Sequence, residues 1–152
     1  MVAVVDLFAG AGGFGIAAQR VGCDLRLSIE LSKVACSTLE HNAEPGHRVL
    51  EGDVIDVEGS ALRKLAGLGA KERLVVVGGA PCQPFSKASN WVDEGLDHKW
   101  RKSRLSGDVT SRPPPPAVRP DSRRTLLDEF SRVVIDSNSD GFVFENVAAL
   151  LS

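Results

Sequence analysis

Cysteine is scarce in this chain: three residues in 152, Cys23, Cys36 and Cys82, with no two spaced as a Cys-x-x-Cys pair. Three thiols cannot all pair, so the count argues against an oxidised scaffold and a structural zinc site; free thiols and no metal are expected. Long hydrophobic runs are also lacking, which excludes a membrane span, and Met1 leads straight into Val2-Ala3-Val4-Val5-Asp6 without the pattern of a signal peptide. A cytoplasmic location is the default that follows. Aromatic residues make up only 5%, but 43% apolar and 25% charged residues over this length are ordinary globular values and suffice for one core. Extended disorder and a collagen-like repeat are excluded. No charge of one sign dominates either, and a net charge of −2 by itself predicts no polyanion partner.

That charge is unevenly placed. From His98 to Arg124 there are eight basic residues against Asp108 and Asp121, whereas the remainder holds ten basic and eighteen acidic residues. An acidic body carries one basic segment, which on its own reads equally well as a solvated loop or as a contact for a polyanion.

What is present is an alternation of strand and helix patterns. Val2 to Phe8 is a β-branched run, then come a glycine cluster and Phe14, Ala17, Ala18 and Val21 at helical spacing. Leu25, Leu27 and Ile29 alternate up to Glu30, and Ser32 is placed to cap a helix over Val34, Ala35, Thr38 and Leu39 that ends before Pro45-Gly46. Arg48 to Leu50 is a weak strand before Glu51-Gly52-Asp53, Ser60 is a candidate cap for a helix over Leu62, Leu65 and Ala66, and Leu74 to Val77 reads as a strand buried on both faces. Residues 89–120, with four consecutive prolines at Pro113 to Pro116, read as a long basic Pro-rich loop. Helical spacing returns in Leu126, Leu127, Phe130, Val133 and Val134, is stopped by Gly141, and gives way to a fifth strand, Phe142-Val143-Phe144. This rhythm predicts an α/β fold with an open, mostly parallel sheet that binds its ligands outside the carboxyl ends of the strands.

The unusual residues sit at those ends. Gly10-Ala11-Gly12-Gly13-Phe14-Gly15 fits G-x-G-x-x-G between a strand and a helix, with Glu30 closing the next strand. Small residues admit a ligand to the backbone at a helix N-terminus, and a strand-end carboxylate accepts hydrogen bonds from ribose hydroxyls. The same glycines also fit a tight turn and nothing more, and the pattern does not separate a dinucleotide from S-adenosylmethionine. Asp53 is suited to an adenine amino group, although a turn aspartate explains it as well. In Gly79-Ala80-Pro81-Cys82-Gln83-Pro84-Phe85-Ser86, Pro81 and Pro84 stiffen the backbone around Cys82. A thiol fixed near helix N-termini and a basic loop is suited to nucleophilic attack, whereas Cys23 and Cys36 read as packing residues. Glu145, after the fifth strand, would serve as an acid if a closed pocket surrounded it.

Taken together, Asp6-Leu7-Phe8-Ala9-Gly10-Ala11-Gly12-Gly13-Phe14, Ser28-Ile29-Glu30, Glu51-Gly52-Asp53, the Pro81-Cys82-Gln83-Pro84 loop, Asp121-Ser122-Arg123-Arg124-Thr125-Leu126 and Phe144-Glu145-Asn146-Val147 resemble the DNA (cytosine-5)-methyltransferase family in its own order. The resemblance implies a Rossmann-like S-adenosylmethionine-dependent methyltransferase fold, incomplete at its C-terminal side. It implies cofactor contacts from Phe8, Gly10, Gly12, Gly13, Glu30, Asp53 and Pro81, with Phe8 against the adenine, Glu30 on the ribose and Asp53 on the exocyclic amine. Cys82 would attack carbon 6 of a cytosine flipped out of duplex DNA, while Glu145 meets ring nitrogen 3. A DNA partner in turn implies a nucleoid-associated chain, with the basic loop on phosphate.

Two departures stand beside the likeness. The interval from Cys82 to Glu145 is long for the family, and its arginine motif, last strands, target-recognition domain and C-terminal helix are not in these 152 residues. A complementary C-terminal part, and a fifth strand with an open apolar edge, are therefore expected. The alternatives are an inactive remnant that only binds S-adenosylmethionine, a tRNA cytosine methyltransferase, and an NAD-dependent oxidoreductase, which would leave Pro81-Cys82-Gln83 and Glu145-Asn146-Val147 unexplained.

Overall fold

The computed structural model describes residues 1–82, 96–105, 107 and 125–148, with the backbone alone for 96–99. Five strands, β1 (Ala3–Leu7), β2 (Asp24–Glu30), β3 (Arg48–Glu51), β4 (Leu74–Gly78) and β5 (Gly141–Phe144), form one sheet in the order β3-β2-β1-β4-β5. Every pairing is parallel. The register sets Leu7 beside Ile29 and Gly78, Glu30 beside Glu51, and Gly78 beside Phe144, so all five carboxyl ends share one edge. Chain order reverses between β1 and β4, the place where such sheets open a ligand crevice.

Hydrophobic alternation decides which side each helix covers. Leu7, Leu27, Ile29, Leu74 and Val76 pack with Leu62 from α3 (Leu62–Leu65) and with Phe130 and Val133 from α5 (Leu126–Asp136). Val4, Leu25 and Val77 form a second cluster with Phe14 and Ala18 of α1 (Gly13–Arg20). Burying a side chain such as Leu62 or Val133, both wholly buried, stabilises the fold by about 1.5–3 kcal/mol. Ser32 caps α2 (Lys33–His41) as expected, its Oγ accepting the Ala35 N–H at 3.5 Å.

Three expectations need correction. Residues 96–105, expected within a loop, form helix α4 (Leu96–Leu105); half of its residues are charged, so no apolar stripe announced it. Ser60 does not cap α3: it lies inside a 3₁₀ turn over Gly59–Ala61, and α3 has no side-chain cap. Gly141 does not stop α5, which ends at Asp136; Asn138, with φ 49°, turns the chain, and Gly141 already belongs to β5. The four prolines fall outside the described residues.

Candidate active site

The glycine loop after β1 is strung between two carboxylates. Gly10 and Gly12 have φ of 54° and 95°, left-handed values that L side chains avoid. The Gly10 N–H donates to Glu30 Oε2 at 2.8 Å, and the Gly15 N–H donates to Asp6 Oδ2 at 3.1 Å. Gly15 is also forced by packing, because a Cβ there would stand 2.7 Å from Leu25 Cδ2. Gly13 is different: a Cβ would meet no atom within 4 Å, so the space above it is open. The loop thus has a glycine that its own folding does not require, next to the first turn of a helix that has no acidic residue of its own there and meets Asp6 through the Gly15 N–H.

Asp6 is buried, and its Oδ1 has no hydrogen-bond partner among the described residues. Burial pushes its carboxyl up to about 7; the Gly15 N–H pulls it down, and Glu30 adds repulsion. Glu30 is half-buried and already partnered through both oxygens, Oε1 accepting the Ser32 N–H at 2.7 Å. Each of its carboxylate oxygens keeps a further lone pair for a hydroxyl donor. Asp53, after β3, is half-buried and caps a 3₁₀ turn (Val54–Asp56), its Oδ1 accepting the Ile55 N–H at 3.1 Å. Phe8 has φ 56°, an uncommon conformation for an aromatic residue and the kind of strain that collects at functional sites. Two apolar side chains next to these acids are left in solvent, Leu31 at 66% and Ile55 at 47% exposure.

Across the reversal, β4 and β5 deliver the second group of residues. Gly78 lies against β1 so closely that a Cβ would stand 2.6 Å from the Leu7 carbonyl oxygen. At Gly79 a Cβ would lie 3.1 Å from Glu145 Oε2 and 3.7 Å from Phe14 Cε2, so glycine leaves the room in which that carboxylate lies. The Glu145 N–H donates to the Gly78 carbonyl at 3.0 Å, and Asn146 Nδ2 donates to the Ala80 carbonyl at 3.0 Å, two residues before Cys82. The loop of Cys82 is therefore tied to the strand end of Glu145. Pro81 and Cys82 are half-buried and Glu145 is exposed, so the closed pocket expected around Glu145 is not formed by the described residues. Cys82 is a free thiol, as are Cys23 and the buried Cys36, whose Sγ donates to the Glu30 carbonyl at 3.2 Å.

The structure brings Phe8, the glycine loop, Glu30, Asp53, Pro81, Cys82 and Glu145 to one sheet edge. Residues 83–86 of the cysteine loop lie outside the described residues. Reading the sequence assigned no role to Asp6, Asn146, Leu31 or Ile55. The first two stood inside quoted motifs, and the last two carried a usable signal, an apolar residue one or two positions past Glu30 or Asp53. No described helix is long and apolar enough to cross a membrane, and no cluster of metal-ligating side chains occurs among the described residues.

Comparison with known proteins matches the profile of C-5 cytosine-specific DNA methylases to residues 2–107. Type II methyltransferase M.XorII of Xanthomonas oryzae is 33% identical over 146 residues, covering 96% of this chain and 28% of its own length. M.SacI of Streptomyces achromogenes is 31% identical and M.AquIA of Picosynechococcus 30% identical, with 35% and 50% of their lengths covered. The chain thus spans between about a quarter and a half of these curated relatives. Among solved structures, a protein of an Escherichia coli prophage assigned as a DNA modification methyltransferase superposes over the whole chain with TM-score 0.69 at 24% identity, sharing its fold.

Proposed function

Since the chain belongs to the C-5 cytosine-specific DNA methylase family, we propose that it forms the cofactor-binding and nucleophile-bearing part of a DNA (cytosine-5)-methyltransferase. The single observation that carries this reading is the tie between the two catalytic strand ends: Asn146 holds the carbonyl two residues before Cys82 while Glu145 fills the space beside Gly79. That arrangement suits a reaction needing a nucleophile and a proton donor on opposite atoms of one ring. The thiolate of Cys82 adds to carbon 6 of cytosine, which turns carbon 5 into an enamine carbon, and Glu145 meets the charge that develops at nitrogen 3.

The site also fits S-adenosylmethionine, which supplies an electrophilic methyl group on a sulfonium. Gly10, Gly12 and Gly13 let a ligand reach the backbone, Glu30 has lone pairs left for ribose hydroxyls, and Asp53 is placed for the amine of a purine. Phe8, Leu31, Ile55 and Pro81 supply apolar surface for its rings and chain. A cytosine in a duplex must leave the stack to reach Cys82, at a cost of a few kcal/mol. The exposed Arg101, Lys102 and Arg104 of α4 provide charge for the phosphates of that DNA. Because the relatives are two to four times longer, transfer is proposed to need a complementary polypeptide that supplies target recognition. A cytoplasmic, nucleoid-associated location goes with this reading.

The test is tritiated methyl transfer to DNA, and adduct formation with 5-fluorocytosine DNA, by this chain alone, by the chain with a relative's C-terminal part, and by Cys82→Ser with that part. Transfer that depends on Cys82 is the expected result; transfer surviving in the serine variant removes Cys82 from the mechanism. Cofactor binding without any adduct in the complemented sample would favour a module that only binds S-adenosylmethionine.

A further inference from the structure

The loop bearing Asp53 is held from the other half of the molecule. After β3 ends at Glu51 the chain runs through two 3₁₀ turns, Val54–Asp56 and Gly59–Ala61. Turns this short leave carbonyls without partners of their own. Arg132 of α5 meets three carbonyls of this loop: Nη1 donates to that of Val57 at 2.9 Å, and Nη2 to that of Ile55 at 3.4 Å and to that of Val54 at 3.2 Å, which also accepts the Val57 N–H. Its Nε donates to Glu129 Oε2 at 2.7 Å, and Asp136 Oδ2 lies 3.9 Å from Nη1, so acids on its own helix hold the guanidinium on both sides. A rigid fork with five donors suits this task, and an ammonium does not.

A second contact fixes the same loop. At Gly59 a Cβ would stand 2.5 Å from Asp136 Cβ and 3.2 Å from Val133 Cα, so loop and helix touch at backbone distance. Helix α5 also reaches the β4–β5 side, where the Phe130 ring lies 4.8 Å from that of Phe144 and its Cε2 lies 3.2 Å from a Cβ built on Gly78. One helix therefore braces the Asp53 loop and backs the strands that carry Cys82 and Glu145.

We infer that Arg132 is a positioning residue for the nucleoside end of the cofactor: by clamping residues 54–57 it holds Asp53 where its carboxylate can choose a 6-amino purine over a 6-oxo purine. This rests on the reading of Asp53 given under Proposed function. Its role in this proposal runs through the loop, whose carbonyls it binds.

The experiment measures binding of S-adenosylhomocysteine and S-inosylhomocysteine by the full chain and its Asp53→Ala, Arg132→Gln and Arg132→Lys variants. One hydrogen bond to a charged acceptor predicts that the wild type prefers the adenosyl ligand by about 10- to 100-fold. Asp53→Ala should bring that ratio near one, Arg132→Gln to within about threefold of one, and Arg132→Lys to an intermediate value. A purely structural arginine would weaken both ligands together, so an unchanged ratio in both Arg132 variants overturns the inference. If Asp53→Ala also leaves the ratio unchanged, or if the wild type binds neither ligand, the reading of Asp53 itself falls and the inference with it. Hydrogen exchange provides a readout without ligand: the Ile55 and Val57 amides should exchange faster in both Arg132 variants while β1 and β4 stay protected. Equal protection of the loop in wild type and variants would mean that Arg132 does not hold it. Should the Gln variant fail to fold, the Lys variant carries both measurements.

Discussion

The two halves of the candidate site's sheet edge are built on different terms. On the β1–β3 side three acids at or just beyond the strand ends are bonded to backbone: Asp6 to Gly15, Glu30 to Gly10 and Ser32, Asp53 to Ile55. On the β4–β5 side Glu145 is exposed, Cys82 is half-exposed, and the edge strand shows Phe142 and Val143 at 61% and 49% exposure. The first half is held in shape by its own backbone-to-carboxylate bonds, with the buried Asp6 Oδ1 left without a partner among the described residues, and a loop ordered in advance would lower the ordering cost of binding. The second half is a thiol loop and a carboxylate-bearing strand end tied to each other through Asn146 and the Glu145 N–H, with Cys82 and Glu145 both at least partly exposed. The halves should therefore fail independently, and substitutions can be chosen to show it.

The largest effect expected is on chemistry alone. Cys82→Ser should lower methyl transfer by the complemented chain by on the order of 10³-fold or more, while S-adenosylhomocysteine affinity stays within about twofold. Gly13→Ala should do the reverse. With no atom within 4 Å of the new methyl, stability should hold or rise slightly, yet cofactor affinity should drop by about tenfold or more if the backbone there is approached by ligand. Unchanged affinity would reduce that glycine to a turn requirement. Calorimetry and 5-fluorocytosine adduct formation, measured on both variants, decide whether the halves separate in this way.

Next in size is the seam that joins them. Gly78→Ala would place a Cβ 2.6 Å from the Leu7 carbonyl oxygen, a backbone atom that cannot move without opening the β1–β4 pairing. A cost of about 1–3 kcal/mol follows, read as a shift of the urea midpoint. Both functions should then weaken together. Loss of one without the other would show that the sheet does not couple the halves.

How legible each half was from the sequence follows from this contrast. The glycine loop, Glu30 and Asp53 act through backbone at a distance of a few residues, and such local rules leave marks in spacing. The five strands were likewise readable, because each strand keeps its β-branched or apolar period. Arg132 left no mark: the carbonyls it binds lie 75 to 78 residues away in the chain, and an arginine paired with acids on an amphipathic helix looks like any solvated one. Helix α4 was missed for a related reason, since a decapeptide with five charged residues shows no apolar stripe in its sequence. The exposure of Glu145 was also invisible, because a strand-end carboxylate reads the same whether a wall faces it or water does.

Acid titration probes the first half by itself. Asp6 has its carboxyl near 7 in the folded chain against 3.8 in an exposed aspartate. A group that holds its proton more tightly when folded opposes folding as that proton leaves. Its contribution is most favourable below pH 4, declines through the interval, and is fully lost above 7, by at most about 4 kcal/mol. His47, bonded to Ser28 Oγ at 2.9 Å, slopes the other way: burial lowers its pKa, so stability rises with pH up to its ordinary range. Comparing Asp6→Asn with wild type cancels the histidine. Urea melts at pH 5 and pH 8 should show the wild type losing stability relative to the variant at the higher pH. Parallel curves would mean that Asp6 is ionised throughout and its buried oxygen is satisfied in solution.

The smallest effect tests the tie in the second half. Asn146→Ala removes the hydrogen bond to the Ala80 carbonyl, a neutral bond at a half-buried site and so a matter of about 1 kcal/mol in stability. Its consequence for rate should be larger than its consequence for folding, because the bond acts two residues from the nucleophile and a displacement of about 1 Å in a reacting group can cost up to about 100-fold. Adduct formation slowed by about tenfold, with cofactor affinity and melting temperature nearly unchanged, is the expected pattern. Asn146→Asp keeps the size but presents an oxygen to the carbonyl, so it should be at least as slow as alanine, whereas a residue that merely filled space would tolerate aspartate better. Aspartate faster than alanine would therefore assign Asn146 to packing.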